Sequence, residues 1–165
     1  MESPVVAELA WAVTRAGHPS LRFNHSGVGA SPPSEASRRQ DVDLALAHLE
    51  GCLASPPQVA LVGVEDGAEL VAEIAHESAR DVAILVQPDP DHLPARIEAT
   101  SKVVAVLPQK VDSGARAAVQ AWGEAAAQDF RLVSIPAADV AFRRGLVELG
   151  RIIADTLDDS GDFVF

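Results

Sequence analysis

VALVGVEDGAELVAEIAHE, residues 59–77, is the stretch that decides how this chain reads. Val59 to Val64 is an unbroken apolar run of strand type, and Leu70, Val71 and Ile74 follow at helical spacing. Between them, Gly63-Val64-Glu65-Asp66-Gly67 carries the two glycines of a G-x-S-x-G turn. Such glycines permit a sharp, strained passage from strand to helix, so that the middle side chain projects at the top of a parallel sheet. The middle residue here is Glu65. The strand, turn and helix are kept, and the nucleophilic hydroxyl is replaced by a carboxylate.

Outward from this unit, strand and helix periods alternate. Val82 to Val86 is a second continuous apolar run, joined to the first by a helix from about Gly67 to Glu77, as expected of parallel strands covered on both faces. Lys102 to Leu107 and Phe130 to Ile135 are further strand-like segments. Helical period returns at Ala115 to Ala127 and in Leu146, Leu149, Ile153 and Leu157. Upstream, Val5, Val6, Leu9 and Val13 mark a helix that starts at Pro4 and is ended by Gly17, and Leu21 to Asn24 reads as a short strand. Ser31 to Ser37 is a loop, after which Val42, Ala45, Leu46, Leu49 and Leu53 form a stripe that stops before Pro56-Pro57. Pro88 to Pro94 is an acidic, proline-rich loop, and the acidic tail, residues 158–165, is expected to be flexible. The alternation predicts an α/β fold: one domain spanning residues 1–165, a three-layer sandwich around a mostly parallel sheet of about five strands.

Composition narrows the partners. A net charge of -11 without a local run of Lys or Arg repels nucleic-acid phosphates and anionic lipid head groups. A single cysteine, Cys52, makes no internal disulfide. No basic-then-apolar leader and no apolar run approaching the roughly 20 residues that span a bilayer is present, so a cytoplasmic protein is expected.

Three segments carry a resemblance. LRFNHSGVGAS at Leu21 to Ser31, LVGVEDG at Leu61 to Gly67 and VVAVLPQKVD at Val103 to Asp112 stand in the order found in α/β-hydrolase-fold proteins. The first resembles the LRFNxxGVGxS segment of a small bacterial subgroup of that superfamily. The resemblance implies the α/β-hydrolase fold and, position by position, a degenerate catalytic triad. The nucleophile falls on Glu65, the acid on Val111 or Asp112, and the histidine on Val140, after Ala138-Asp139. No histidine follows His92. A Ser-His-Asp relay needs imidazole both to take the nucleophile's proton and to return it to the leaving group, and losing such a unit costs on the order of a millionfold in turnover. What the resemblance implies is a catalytically inactive binding or structural subunit; the alternative is a diverged hydrolase of small ester or acyl substrates.

In the resembling proteins the helix at Pro4 is preceded by several strands, one of which lies between those corresponding to Leu21–Asn24 and Val59–Val64. Without it the sheet has a gap, and each buried backbone group left without a partner costs roughly 1 to 3 kcal/mol. The flanking strands pair directly, another chain donates a strand, or the natural protein begins upstream of Met1. The first two predict a protein partner or a homo-oligomer formed through an open sheet edge.

The remaining polar residues have competing readings. Glu65 and Asp66 at a helix start interact favourably with the helix dipole, by about 0.3 to 1 kcal/mol. Glu65 as a carboxylate nucleophile, as in some dehalogenases of this fold, or as a ligand or metal contact, is the sharper reading. His25 and Ser26 are expected in a solvated turn at Gly27-Val28-Gly29, and His76 with Glu77 on the surface at a helix end. Asp89, Asp91 and His92 lack the spacing of an EF-hand or zinc site and read as a solvated loop. Cys52 reads as an inert packing residue, and Trp11 and Trp122 as core or interface anchors. No cofactor and no metal site is predicted.

Overall fold

The computed structural model describes residues 3–32, 37–52, 58–77, 81–97 and 102–159. Leu53, Pro56 and Pro57 at the expected end of the second helix, part of the Ser31–Ser37 loop, and the tail past residue 159 lie outside the described residues. Four parallel strands, β1 (Ala60–Val64), β2 (Val82–Val86), β3 (Lys102–Pro108) and β4 (Phe130–Ile135), form a sheet in the order β1-β2-β3-β4. All five residues of β2 are buried, because helices cover both faces of the sheet. Val82, Ile84 and Val86 point to one layer, Ala83 and Leu85 to the other, following the two-residue alternation of a strand.

One layer is made of α1 (Pro4–Arg15) and α5 (Leu146–Asp158), whose Val5, Leu9, Val13, Leu149, Ile153 and Leu157 pack on β2, β3 and β4. The two helices approach closely at Gly150, where a Cβ would lie 2.8 Å from the Ala12 Cβ. The other layer is α3 (Asp66–Glu77) and α4 (Ser113–Ala126), with α2 (Arg38–Cys52) outside α3. Arg38 bonds Asp66 at 2.8 Å and Arg39 bonds Glu77 at 2.5 Å, tying α2 to both ends of α3. The three-layer α/β sandwich is therefore present.

Four expectations change in detail. Leu21–Asn24 is not a strand, which accounts for four strands instead of five: among the described residues it has no neighbouring strand to take its ladder bonds, and Leu21 and Phe23 stay about two-fifths exposed. The first repair of the gap, direct pairing of this segment with β1, is thus not the one adopted. The apolar stripe of α2 faces the protein but is only partly covered: of its described members Leu46 is buried and Val42, Ala45 and Leu49 are half-buried, while Leu44, off the stripe, is 68% exposed. α5 takes in Asp158, the first residue assigned to the tail, whose carboxylate meets Nε2 of the buried His18 at 2.8 Å. The Pro88–Pro94 loop contains a single 3-10 turn at Pro90–His92.

Among the described residues β1 has a neighbour on one side only. The Glu65 N–H donates to the Val86 carbonyl at 2.9 Å, so alternation turns the backbone groups of Ala60, Val62 and Val64 toward the open side. Val62, in the middle of this apolar strand, is 36% exposed.

Candidate functional site

The turn after β1 has the conformation its glycines predict. Glu65 stands at its apex with φ +55°, a left-handed conformation that costs a non-glycine residue on the order of 1 to 3 kcal/mol unless its surroundings impose it. They do. An ideal Cβ at Gly63 would lie 2.1 Å from the Gly67 carbonyl oxygen and 2.7 Å from the Ala68 Cα, so strand and helix touch backbone to backbone. The Ala68 N–H closes the turn on the Glu65 carbonyl at 2.8 Å. Gly67 has open space where a Cβ would go, so of the two glycines only Gly63 is sterically required. The Glu65 side chain is exposed and, among the described residues, makes no hydrogen bond or ion pair.

The other non-glycine residues with positive φ among those described are Gln87, Ala137 and Phe142. Gln87 follows β2, and Ala137 and Phe142 lie in the loop after β4, so all this strain lies beyond the carboxyl ends of the strands. That is where open parallel sheets bind ligands and where backbone strain has functional use.

Of the other positions expected to correspond to a triad, Asp112 holds structure and Val140 does not. Asp112 N-caps α4, its Oδ1 accepting the amides of Gly114 at 2.8 Å and Ala115 at 3.2 Å. Asp139 accepts the Arg143 N–H at 2.8 Å, while Val140 is 52% exposed. Between these loops the Gln109 side chain accepts the Ala137 N–H at 3.1 Å, and Arg116 donates to the carbonyls of Pro108 and Gln109 and to the Ser134 hydroxyl.

Imidazoles occur elsewhere. His92 Nδ1 lies 3.1 Å from Asp89 Oδ2 and 3.6 Å from Glu69 Oε1, so the third member of this cluster is Glu69 of α3 and not the neighbouring Asp91. Sequence spacing could not show this, although the β1-α3-β2 crossover brings the first turns of α3 and the loop after β2 to the same end of the sheet. No hydrogen bond or ion pair joins His92 to Glu65.

His25 and Ser26 do not lie in a merely solvated turn. Asp41 of α2, 12% exposed, accepts both the Ser26 N–H and the Ser26 hydroxyl at 2.9 Å, and His25 Nδ1 is 3.5 Å away. The serine therefore donates to the carboxylate, not to an imidazole, which ties the segment after α1 to α2 and sets up no nucleophile.

Those two bonds from Ser26, amide first and hydroxyl second, hold the Asp41 carboxyl below its ordinary pKa of 3.8. A folded-state pKa below the unfolded one means that the unfolded chain binds more protons. The contribution of Asp41 is thus complete above 3.8 and is lost as pH falls through the lower folded value. Asp41→Asn is expected to lower stability near neutral pH and to flatten the fall in stability below pH 3.8, as followed by urea unfolding monitored by circular dichroism. An unchanged acid limb would remove this role.

Among the other residues singled out, His76 and Glu77 are exposed as expected. Cys52 is also exposed, with its Sγ 3.8 Å from His48 Nε2, and so is not a packing residue. It lies on the solvent side of α2, away from the half-buried stripe. Trp122 is anchored, donating from Nε1 to the Pro94 carbonyl at 2.7 Å and meeting Phe130 edge-on, whereas Trp11 is 55% exposed beneath the Arg15 guanidinium.

This architecture, a parallel sheet between two helical layers with a strained turn after β1, is shared with solved structures of the α/β-hydrolase fold. The chain resembles an α/β serine hydrolase homologue from Coxiella burnetii, with a TM-score of 0.80 and 22% identity over 95% of this chain and 77% of that one. An α/β serine hydrolase without a lid from Xanthomonas campestris matches with a TM-score of 0.76 and 23% identity, covering 96% of this chain and 74% of the other. Dienelactone hydrolase from Anabaena variabilis matches with a TM-score of 0.66 and 18% identity, over 95% and 79%. No protein-family model and no curated protein matches the sequence. Among the described residues no helix is long and apolar enough to cross a membrane.

Proposed function

We propose that this chain is a non-hydrolytic member of the α/β-hydrolase fold that works as a binding or structural subunit. The observation that supports it most is Glu65. The strained apex that would present a nucleophile presents a carboxylate with no hydrogen-bond or ion-pair partner among the described residues, while Asp112 is engaged as a helix cap and Val140 has no proton to exchange. Acyl transfer by this fold needs a base beside the nucleophile. The binding surface in this reading is the open side of β1. An apolar strand that turns the backbone groups of Ala60, Val62 and Val64 outward is a template for another strand, and no charged side chain within Ala60–Val64 discourages pairing. The partner is a second copy or another protein.

One observation favours a diverged hydrolase of small ester or acyl substrates instead: the strain at Glu65 is retained, and strain of 1 to 3 kcal/mol is commonly kept where it is used. The two readings separate in one experiment. Purified protein incubated with p-nitrophenyl acetate and a fluorophosphonate probe is expected to show no labelling and no hydrolysis beyond that of Glu65→Gln. Turnover that Glu65→Gln abolishes would establish the hydrolase. In light scattering, the protein is expected to exceed the mass of one chain or to gain mass on strand pairing with its partner, and Val62→Lys to reverse this. A stable monomer whose Val62 and Val64 amides are protected from hydrogen exchange would remove the open edge.

A further inference from the structure

We propose that Glu69, Asp89 and His92 form a binding site for a first-row divalent transition-metal ion. The three side chains come from two segments: Glu69 from the first turns of α3, Asp89 and His92 from the 3-10 turn that follows β2. Their ligand atoms lie within 4.8 Å of one another, with His92 Nδ1 3.1 Å from Asp89 Oδ2 and 3.6 Å from Glu69 Oε1. Metal–ligand bonds of about 2.0 to 2.2 Å place neighbouring ligands roughly 3.0 Å apart in an octahedron and roughly 3.4 Å apart in a tetrahedron. The His92–Asp89 separation falls in that range and the His92–Glu69 separation lies about 0.2 Å above it, so an ion has to draw Glu69 inward.

Charge supports the same occupant. Among the described residues neither Glu69 nor Asp89 has a Lys or Arg partner; His92 is the only group facing both. Glu69 is also drawn partly out of water, its side chain 26% exposed. One imidazole offers at most one positive charge to the two carboxylates. A divalent cation balances the pair and uses the imidazole lone pair at the same time. The ligand set of one nitrogen and two carboxylates selects the class: imidazole suits Zn²⁺, Co²⁺ and Fe²⁺, whereas all-oxygen sets suit Ca²⁺ and Mg²⁺. Three ligands exposed at one side leave further positions to water, and the ion would pin the loop after β2 to α3.

The test uses the full chain carrying Cys52→Ser, which removes the exposed Cys52–His48 pair as a competing soft site. Titration with Co²⁺, read by its visible absorption, and with Zn²⁺, read by calorimetry, is expected to saturate at one equivalent. His92→Ala and Glu69→Gln should each weaken binding by at least about tenfold, and Mg²⁺ should not compete. Mn²⁺ added to the unaltered ligand set should broaden the amide resonances of Asp89, His92 and Glu69 before any others, which locates the ion without a variant that has to fold. Absence of saturable binding, equal affinity in both variants, or broadening centred elsewhere would each overturn the site and leave the cluster as a histidine–carboxylate ion pair.

Discussion

Gly63→Ala is expected to leave little or no folded protein, a loss of roughly 3 to 5 kcal/mol or more, in the range reserved for severe packing faults. The reason lies in what the methyl group meets. Its position is 2.1 Å from the Gly67 carbonyl oxygen, 2.5 Å from the carbonyl carbon and 2.7 Å from the Ala68 Cα, all backbone atoms of the turn itself. No rotamer change relieves such an overlap; α3 has to move away from β1, and with it Ala68, Ala72 and Ala75, which are fully buried. Gly67→Ala provides the contrast, because open space surrounds that position and it lies in the first turn of α3. Alanine there is expected to be neutral or stabilising by up to about 1 kcal/mol. Urea unfolding of both variants measures the difference. A Gly63→Ala protein as stable as its parent would mean that β1 and α3 do not meet as described.

The same pair shows what sequence reading reaches and where it stops. The fold was legible because β1, β2 and β3 are continuous apolar runs and α3, α4 and α5 have clear helical period, so pattern alone separates the elements. Leu21–Asn24 failed for the complementary reason: strand propensity describes a residue's fit to a sheet surface, and this segment has no neighbouring strand among the described residues. In α2 the period marked the covered face correctly, with Leu46 buried and Val42, Ala45 and Leu49 half-buried, but it could not show that the helix sits outside α3 and is tied to it by Arg38 and Arg39.

At the site, the glycine-flanked turn announced the strained apex, but the motif gave both glycines equal weight, and only backbone contact distinguishes them. Clusters built across segments were out of reach. Asp41 joins Ser26 from 15 residues away, and Glu69 reaches His92 across the β1-α3-β2 crossover. Adjacency in the loop grouped Asp91 with Asp89 and His92, whereas the cluster that forms has Glu69 in its place.

Phe142→Ala is the second change with a large expected effect, about 3 to 5 kcal/mol, while Val140→Ala, two residues away, is expected to stay within about 0.5 kcal/mol of the parent. Phe142 is 2% exposed and packs with Ile135, Leu149 and Ile153, although its φ of +51° is one a bulky residue rarely adopts. That strain is tolerated because the ring anchors the loop after β4, helped by the Phe142 N–H on the Asp139 carbonyl at 3.0 Å. Val140, where the resemblance leads one to expect a histidine, is half exposed at the outside of the same loop. The loop's shape therefore depends on its anchor and not on the residue at position 140, so that position tolerates exchange without a structural penalty. Thermal unfolding of the two variants decides the point. If Val140→Ala destabilised as much as Phe142→Ala, the position would be a packing site, and its hydrophobic occupant would reflect a requirement of the fold.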